Sequence, residues 1–69
     1  MTPAQFDVVA ELLGSRDPAR AAARLVLIEG ATTTAAAERC GLSSQSVSNA
    51  VARFKTADEK IIAAYKKTL

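Results

Sequence analysis

Apolar residues recur at helical spacing along most of the chain, in stretches separated by short turns that carry Gly, Pro, Ser or Thr. The first stretch opens at Thr2-Pro3, where Thr2 is a typical N-cap and Gln5 completes a capping box. We expect this helix to end at Gly14-Ser15. Its buried stripe is predicted to comprise Phe6, Val9, Leu12 and Leu13.

A second helix is predicted from Asp17-Pro18, an N-cap followed by proline at the first helical position, to a C-terminal Gly30. Val26 and Leu27 widen its apolar arc, so we expect other elements to cover this helix on more than one side. Its predicted core residues are Ala21, Leu25 and Ile28. Its charged residues Arg20 and Arg24 are four apart and share one face. They either reach phosphates or face solvent, and the second interpretation is favoured.

Residues 33–54 are typical of two short helices joined by a tight turn. Gly41 is suited to end the first helix in a left-handed conformation, Leu42 can point inward, and Ser43 is a good N-cap for the second helix. The second helix has an apolar face formed by Val47, Ala50, Val51 and Phe54. Its opposite face is polar and mostly uncharged, and consists of Ser44, Gln45, Ser48, Asn49 and Arg53.

After Lys55-Thr56 the pattern changes, and Thr56 with Glu59 repeats the capping-box signature. A last helix is therefore predicted from Ala57 to about Lys67. Its apolar side either closes the core or forms the contact between two subunits, and comprises Ile61, Ile62, Tyr65 and Leu69. Hydrophobic residues make up 49% of the chain but aromatic residues only 4%, which favours close-packed helices. The prediction is an all-α, small five-helix domain spanning residues 1–69, with a possible dimerisation helix at 57–69.

Several classes of function are disfavoured by the composition. The chain has a single cysteine, Cys40, and no histidine, so an internal disulfide, an ordinary zinc site and the usual general base are excluded. Cys40 is interpreted as a small buried residue. No Gly-rich phosphate loop or carboxylate cluster is visible, so neither an enzyme nor a cofactor is predicted. The opening residues lack signal-peptide features and no apolar stretch is long enough to span a membrane, which favours a cytoplasmic protein.

Charge is distributed unevenly along the chain. The net charge is only +2. Residues 1–38 carry three arginines against five carboxylates, which gives −2, whereas residues 39–69 carry six basic residues against two carboxylates, which gives +4. The basic half contains the polar helix of the 33–54 segment, a distribution typical of nucleic-acid binding. The alternative, ordinary solvated lysines on the last helix, is about equally favoured for Lys60, Lys66 and Lys67.

Two helices joined in this way are typical of the helix-turn-helix, whose second helix enters the major groove of DNA. The first turns of that helix face base edges. The predicted base-reading residues are Ser44, Gln45, Ser48 and Asn49. Phosphate contacts are predicted for Thr33, Thr34, Ser46, Arg53 and Lys55. For any single threonine, a role as helix cap alone is an equally open interpretation.

The segment GLSSQSVSNAVARF resembles the recognition segment of LacI-type repressors. The wider run ARLVLIEGATTTAAAERCGLSSQSVSNAVARF, with the opening MTPAQF, is similar to the TrfB or KorA family of plasmid repressors. The first resemblance implies base-reading side chains at Ser44, Gln45 and Asn49, and the second implies them at Ser44 and Asn49. The second also implies a dimer.

These features together predict a sequence-specific transcriptional repressor that binds an inverted-repeat operator in double-stranded DNA as a homodimer. The genes it controls are predicted to belong to a plasmid or another mobile element. The alternative is a small helical protein-interaction module, such as an adaptor or an antitoxin-like partner. A third interpretation, the DNA-binding piece of a recombinase or transposase, is disfavoured because the 69-residue chain has its own Met1.

Overall fold

Four α-helices make up the part of the chain that our computed structural model describes, which is the backbone of residues 1–68 and the side chains of residues 1–66. They are α1 (Pro3–Leu13), α2 (Ala19–Leu27), α3 (Thr33–Cys40) and α4 (Ser44–Thr68). No strand occurs within residues 1–68, so the prediction of an all-helical protein is confirmed. The predicted count of five helices is wrong, because the fourth and fifth predicted helices are one.

The helix α4 runs without interruption through Lys55-Thr56, where a break was predicted. Neither glycine nor proline occurs between Ser44 and Thr68, and threonine inside a helix costs at most about 0.7 kcal/mol relative to alanine. The apolar face also continues across this point, since Phe54 is buried and Ala57 and Ile61 pack against the core. Tertiary packing on both sides of Thr56 therefore outweighs the local capping signature. The predicted helix 57–69 is the C-terminal part of α4, and Leu69 lies outside the described residues.

The termini of α1 follow the sequence prediction. The backbone N–H of Gln5 donates to Thr2 Oγ1 at 3.1 Å, and the Thr2 N–H donates to Gln5 Oε1 at 2.9 Å. The helix ends at Gly14, whose φ of 64° is left-handed. The predicted capping box and C-terminal glycine of α1 are therefore confirmed.

The bounds of α2 differ from the prediction at both ends. Its N-cap is Pro18, with no side-chain cap hydrogen bond, so the Asp17 carboxylate lies one position too early to cap it. The helix ends at Leu27, three residues before Gly30. Gly30 instead adopts φ 74° in the following turn, which is closed by the Ala31 N–H donating to the Leu25 carbonyl at 2.9 Å.

Two stacked rings form the centre of the core and join α1 to α4. The rings of Phe6 and Phe54 have centroids 4.7 Å apart and planes within 9°. Both side chains are 1% exposed, and Val9 and Val47 are the other large side chains that are fully buried. Leu12, predicted to be buried, is 68% exposed. It lies off the face on which the buried residues of α1 recur, namely Phe6, Val9 and Ala10.

Alanines allow α2 to pack closely on both α3 and α4. Ala22 and Ala23 are fully buried in α2, as is Ala36 in α3. Of the predicted core residues of α2, Leu25 and Ile28 are partly buried and pack against the core, whereas Ala21 is only partly buried. The expectation that α2 is covered on more than one side is confirmed. No helix among residues 1–68 is long and apolar enough to cross a membrane.

Candidate nucleic-acid interface

The turn between α3 and α4 is held by backbone and side-chain hydrogen bonds of residues predicted to form it. Gly41 has φ 67°, and its N–H donates to the Ala37 carbonyl. The Leu42 N–H donates to the same carbonyl at 2.9 Å. Ser43 Oγ accepts from the Ser46 N–H at 3.1 Å, which caps the start of α4 as predicted. A three-residue connection therefore fixes the direction in which α4 leaves α3.

Small residues bring α3 against α4. Ala36 and Ala37 are 0% and 4% exposed, and Val47 on the first turns of α4 is fully buried. Leu42 is half-buried and packs against the same core, as expected for an inward-pointing turn residue. Cys40 is only partly buried, so its predicted burial is incomplete. The first turns of α4 are thus anchored on one side by the body of the protein.

The opposite side of the same turns is exposed. The four predicted apolar residues of this segment are all buried: Val47, Ala50, Val51 and Phe54. The four residues predicted to read bases are all exposed on the other face: Ser44, Gln45, Ser48 and Asn49. The structure therefore brings these four polar side chains together, on one surface and within two helical turns.

A hydrogen bond joins the two amide side chains of this surface. Gln45 Nε2 donates to Asn49 Oδ1 at 3.1 Å, across one turn of α4. The Asn49 amide group and the Gln45 carbonyl oxygen keep their own hydrogen-bonding capacity. The pair can therefore present donors and acceptors outward while each side chain restrains the other. Gln45 and Asn49 are four residues apart, a spacing that places side chains next to each other on a helix. The hydrogen bond between them could therefore have been predicted from the sequence, but it was not.

Three of the predicted phosphate-contacting residues, Ser46, Arg53 and Lys55, lie on α4. Ser46 is exposed, and its hydroxyl accepts from Ser43 Oγ at 2.9 Å, which leaves its own proton available to donate. Arg53 and Lys55 are exposed. Neither of them forms an ion pair with the residues whose side chains are described.

The threonines before α3 have different roles. Thr32 Oγ1 accepts from the Ala35 N–H at 3.1 Å, so Thr32 is the threonine that caps this helix. Thr33 is half-buried and Thr34 is exposed, and neither side chain serves as this cap. Both lie in the first turn of α3, where unpaired backbone N–H groups and the helix dipole favour an anion.

The two arginines of α2 are engaged within the protein. Arg20 and Arg24 approach Asp7 Oδ1 of α1 at 3.4 Å and 3.9 Å. The Arg24 guanidinium also lies 5.8 Å from the centroid of the Phe6 ring. These contacts favour a role in joining α1 to α2. The sequence analysis considered only contact with phosphates or exposure to solvent for these two arginines.

The predicted dimer-contact residues lie at the far end of α4. Ile61 is half-buried and packs against the core, whereas Ile62 and Tyr65 are 44% and 70% exposed. Leu69 is outside the described residues. Ile62 and Tyr65, together with residues of α1, border a groove of about 510 Å³.

Comparison with known proteins identifies the family. No curated protein and no solved structure matches the chain. A family model described as the TrfB plasmid transcriptional repressor matches residues 1–68. This match confirms the resemblance to the TrfB or KorA family, which is a family of transcriptional repressors and not of enzymes. Because the match covers nearly the whole chain, the protein belongs to the TrfB family of plasmid transcriptional repressors.

Proposed function

We propose that the chain is a sequence-specific repressor that reads its operator with a helix-turn-helix formed by α3 and α4. The observation that carries the proposal is the exposed polar surface on the first turns of α4, opposite the buried face that fixes the helix in place. A recognition helix requires both features, because its base-reading side chains must be exposed while its backbone is held rigidly. The whole chain, residues 1–69, acts as one DNA-binding domain with its motif at 33–54.

Base reading is assigned chiefly to the amide pair. Side-chain amides bond adenine at two atoms in the major groove, and each such contact discriminates by about 1–3 kcal/mol. The hydrogen bond from Gln45 to Asn49 orients both amides before DNA binds, so less side-chain freedom is lost on binding. Ser44 and Ser48 border the pair and can donate or accept, so they specify bases more weakly.

Phosphate contacts set the register of the helix on the duplex. Thr33 and Thr34 at the start of α3, with Ser46 near the start of α4, are proposed to donate to phosphate oxygens. Arg53 and Lys55 are proposed to supply the charge further along α4. These contacts add affinity that is independent of sequence and falls as salt rises.

A homodimer on an inverted repeat is proposed because one copy carries few basic residues and a net charge of only +2. Two copies related by a two-fold axis would place their recognition helices in successive major grooves, with half-sites about 34–36 Å apart. Such a complex on a plasmid or mobile-element promoter in the cytoplasm would exclude polymerase and repress transcription.

The test is fluorescence anisotropy with the DNA upstream of the chain's own gene and with a scrambled duplex, at two salt concentrations. We expect tight binding to the native duplex alone, weakened by salt. If the folded protein binds neither duplex, a helical protein-interaction module becomes the better explanation, and a pull-down is the next experiment.

Substitutions then separate readers from phosphate contacts. Asn49→Ala is expected to reduce discrimination at particular operator bases, whereas Arg53→Ala weakens binding to all duplexes about equally. Arg16→Ala is the matched control, since it also removes one exposed arginine, but from the acidic half of the chain. A uniform loss on every duplex with Asn49→Ala would contradict its role as a reader.

A further inference from the structure

An apolar groove runs between α1 and the C-terminal part of α4, at the end of the molecule away from the polar surface. The two helices are antiparallel: Leu13 lies beside Ala50 and Phe54, while Ala4 and Gln5 lie across from Ile61 and Tyr65. The groove has a volume of about 510 Å³. Its exposed apolar side chains are Val8, Ile62 and Tyr65, at 54%, 44% and 70%. They are three of the five large apolar side chains that the described part of the chain exposes.

The two charged residues that border the groove can pair with the same two residues of a second copy. Asp58 and Lys66 line it on α4, four residues before and four residues after Ile62. Neither forms an ion pair with the residues whose side chains are described. If two copies of α4 pack antiparallel about a two-fold axis at Ile62, Asp58 of each copy lies opposite Lys66 of the other. A single surface thereby supplies two opposite-charge contacts around an apolar centre.

We propose that this groove is the self-association surface of the chain, with a second copy as its occupant and Ile62 on the two-fold axis. This inference rests on the proposed homodimer and names its surface and register. Ile62 and Tyr65 of each copy enter the groove of the other. The charged pairs at either end fix the antiparallel register, because a parallel arrangement would place like charges together.

The length of α4 agrees with this arrangement. The Ser48–Asn49 segment lies 13 to 14 residues before Ile62, which is about 20 Å along a helix that rises 1.5 Å per residue. Two antiparallel copies then separate their polar surfaces by about 40 Å when nearly aligned and about 36 Å when crossed at roughly 50°. This range approaches the spacing of about 34–36 Å between adjacent half-sites on one face of DNA.

Charge reversal tests the register directly in the absence of DNA. We expect sedimentation equilibrium to show a wild-type dimer. Asp58→Lys and Lys66→Asp should each weaken self-association by about tenfold or more, because each places two like-charge contacts in the interface. An equimolar mixture of these two variants should form a heterodimer, since the opposite-charge contacts are then restored. Glu59→Lys and Lys60→Asp are the matched controls, which make the same charge changes on exposed residues outside the groove. Circular dichroism is used to check that every variant is folded.

The outcomes are distinct from those of the DNA-binding test. A monomeric wild type, single reversals that dimerise normally, or a mixture that does not recover would each overturn this surface. A monomer that binds an apolar dye in the groove would likewise overturn it and indicate a small-molecule site. A monomer that still binds its operator selectively leaves base reading intact, whereas a dimer that binds no DNA leaves the surface intact and removes the proposed function.

Discussion

Phe54→Leu provides a direct test of how α4 is held against α1. Phe54 is 1% exposed and its ring stacks on Phe6 at 4.7 Å, so the substitution removes a fully buried aromatic contact. The lost pair alone is worth about 0.5–1.5 kcal/mol, and the imperfect fit of leucine adds a cost of similar size. We therefore expect the free energy of unfolding to fall by about 1–3 kcal/mol. A domain of this size is stable by only roughly 3–10 kcal/mol.

The assay is thermal and urea unfolding followed by circular dichroism, at one protein concentration so that self-association contributes equally. A loss of 1 kcal/mol lowers the Tm of so small a domain by about 4–8 °C. Leu12→Ala is the control, because Leu12 is 68% exposed and its truncation should change stability by no more than about 0.5 kcal/mol. Phe6→Leu should resemble Phe54→Leu, and the double variant should lose less than the two single losses combined. Strict additivity, or an equal loss in the Leu12 variant, would refute the stacked pair as the main link between α1 and α4.

Three further predictions concern the turn, the amide pair and the α1–α2 contact. Gly41→Ala should lower the free energy of unfolding by about 1–2 kcal/mol. The loss comes from the left-handed φ alone, since a Cβ at this position meets nothing within 4 Å. Urea unfolding measures this loss, and Gly41→Asn should lose less. Gln45→Ala and Asn49→Ala should give non-additive losses of operator affinity in a double-mutant cycle; additive losses would mean that their hydrogen bond contributes nothing to binding. Asp7→Asn should reduce stability by less than about 1 kcal/mol and only at low salt, because its ion pairs are 37–59% exposed; a larger, salt-independent loss in thermal unfolding would contradict this account.

Local signals predicted the parts of the structure that depend on few residues. The capping box at Thr2, the left-handed Gly41 and the Ser43 cap need only neighbours within the same turn, so the sequence was sufficient for them. The apolar face of residues 47–54 was equally clear, because large side chains recur there at i, i+3, i+4 and i+7. The exposure of the polar residues opposite followed from the same periodicity.

Features decided by packing between helices were missed. The signature Thr56-x-x-Glu59 is compatible with a helix start, but packing of Ala57 and Ile61 on the core favours one continuous helix. In α2 the many alanines permit more than one buried face, and the positions of α3 and α4 select Ala22 and Ala23. The groove beside Ile62 arises from the register of α1 on α4, which no pattern within either segment specifies.

The continuity of α4 also determines how this protein can change in length. A helix of 25 residues extends about 37 Å, nearly the full 42 Å of the molecule. Because the helix is continuous, the side chains at its two ends keep a fixed rotation about the helix axis relative to one another. Inserting one residue after Lys55 would turn everything beyond it by about 100°, and the polar surface would no longer keep its orientation relative to the groove. An insertion of seven residues would change that rotation by only about 20°. That insertion would nevertheless move Ile61 about 10 Å along the helix axis and away from α1, so the helix is expected to tolerate changes in length only at its ends.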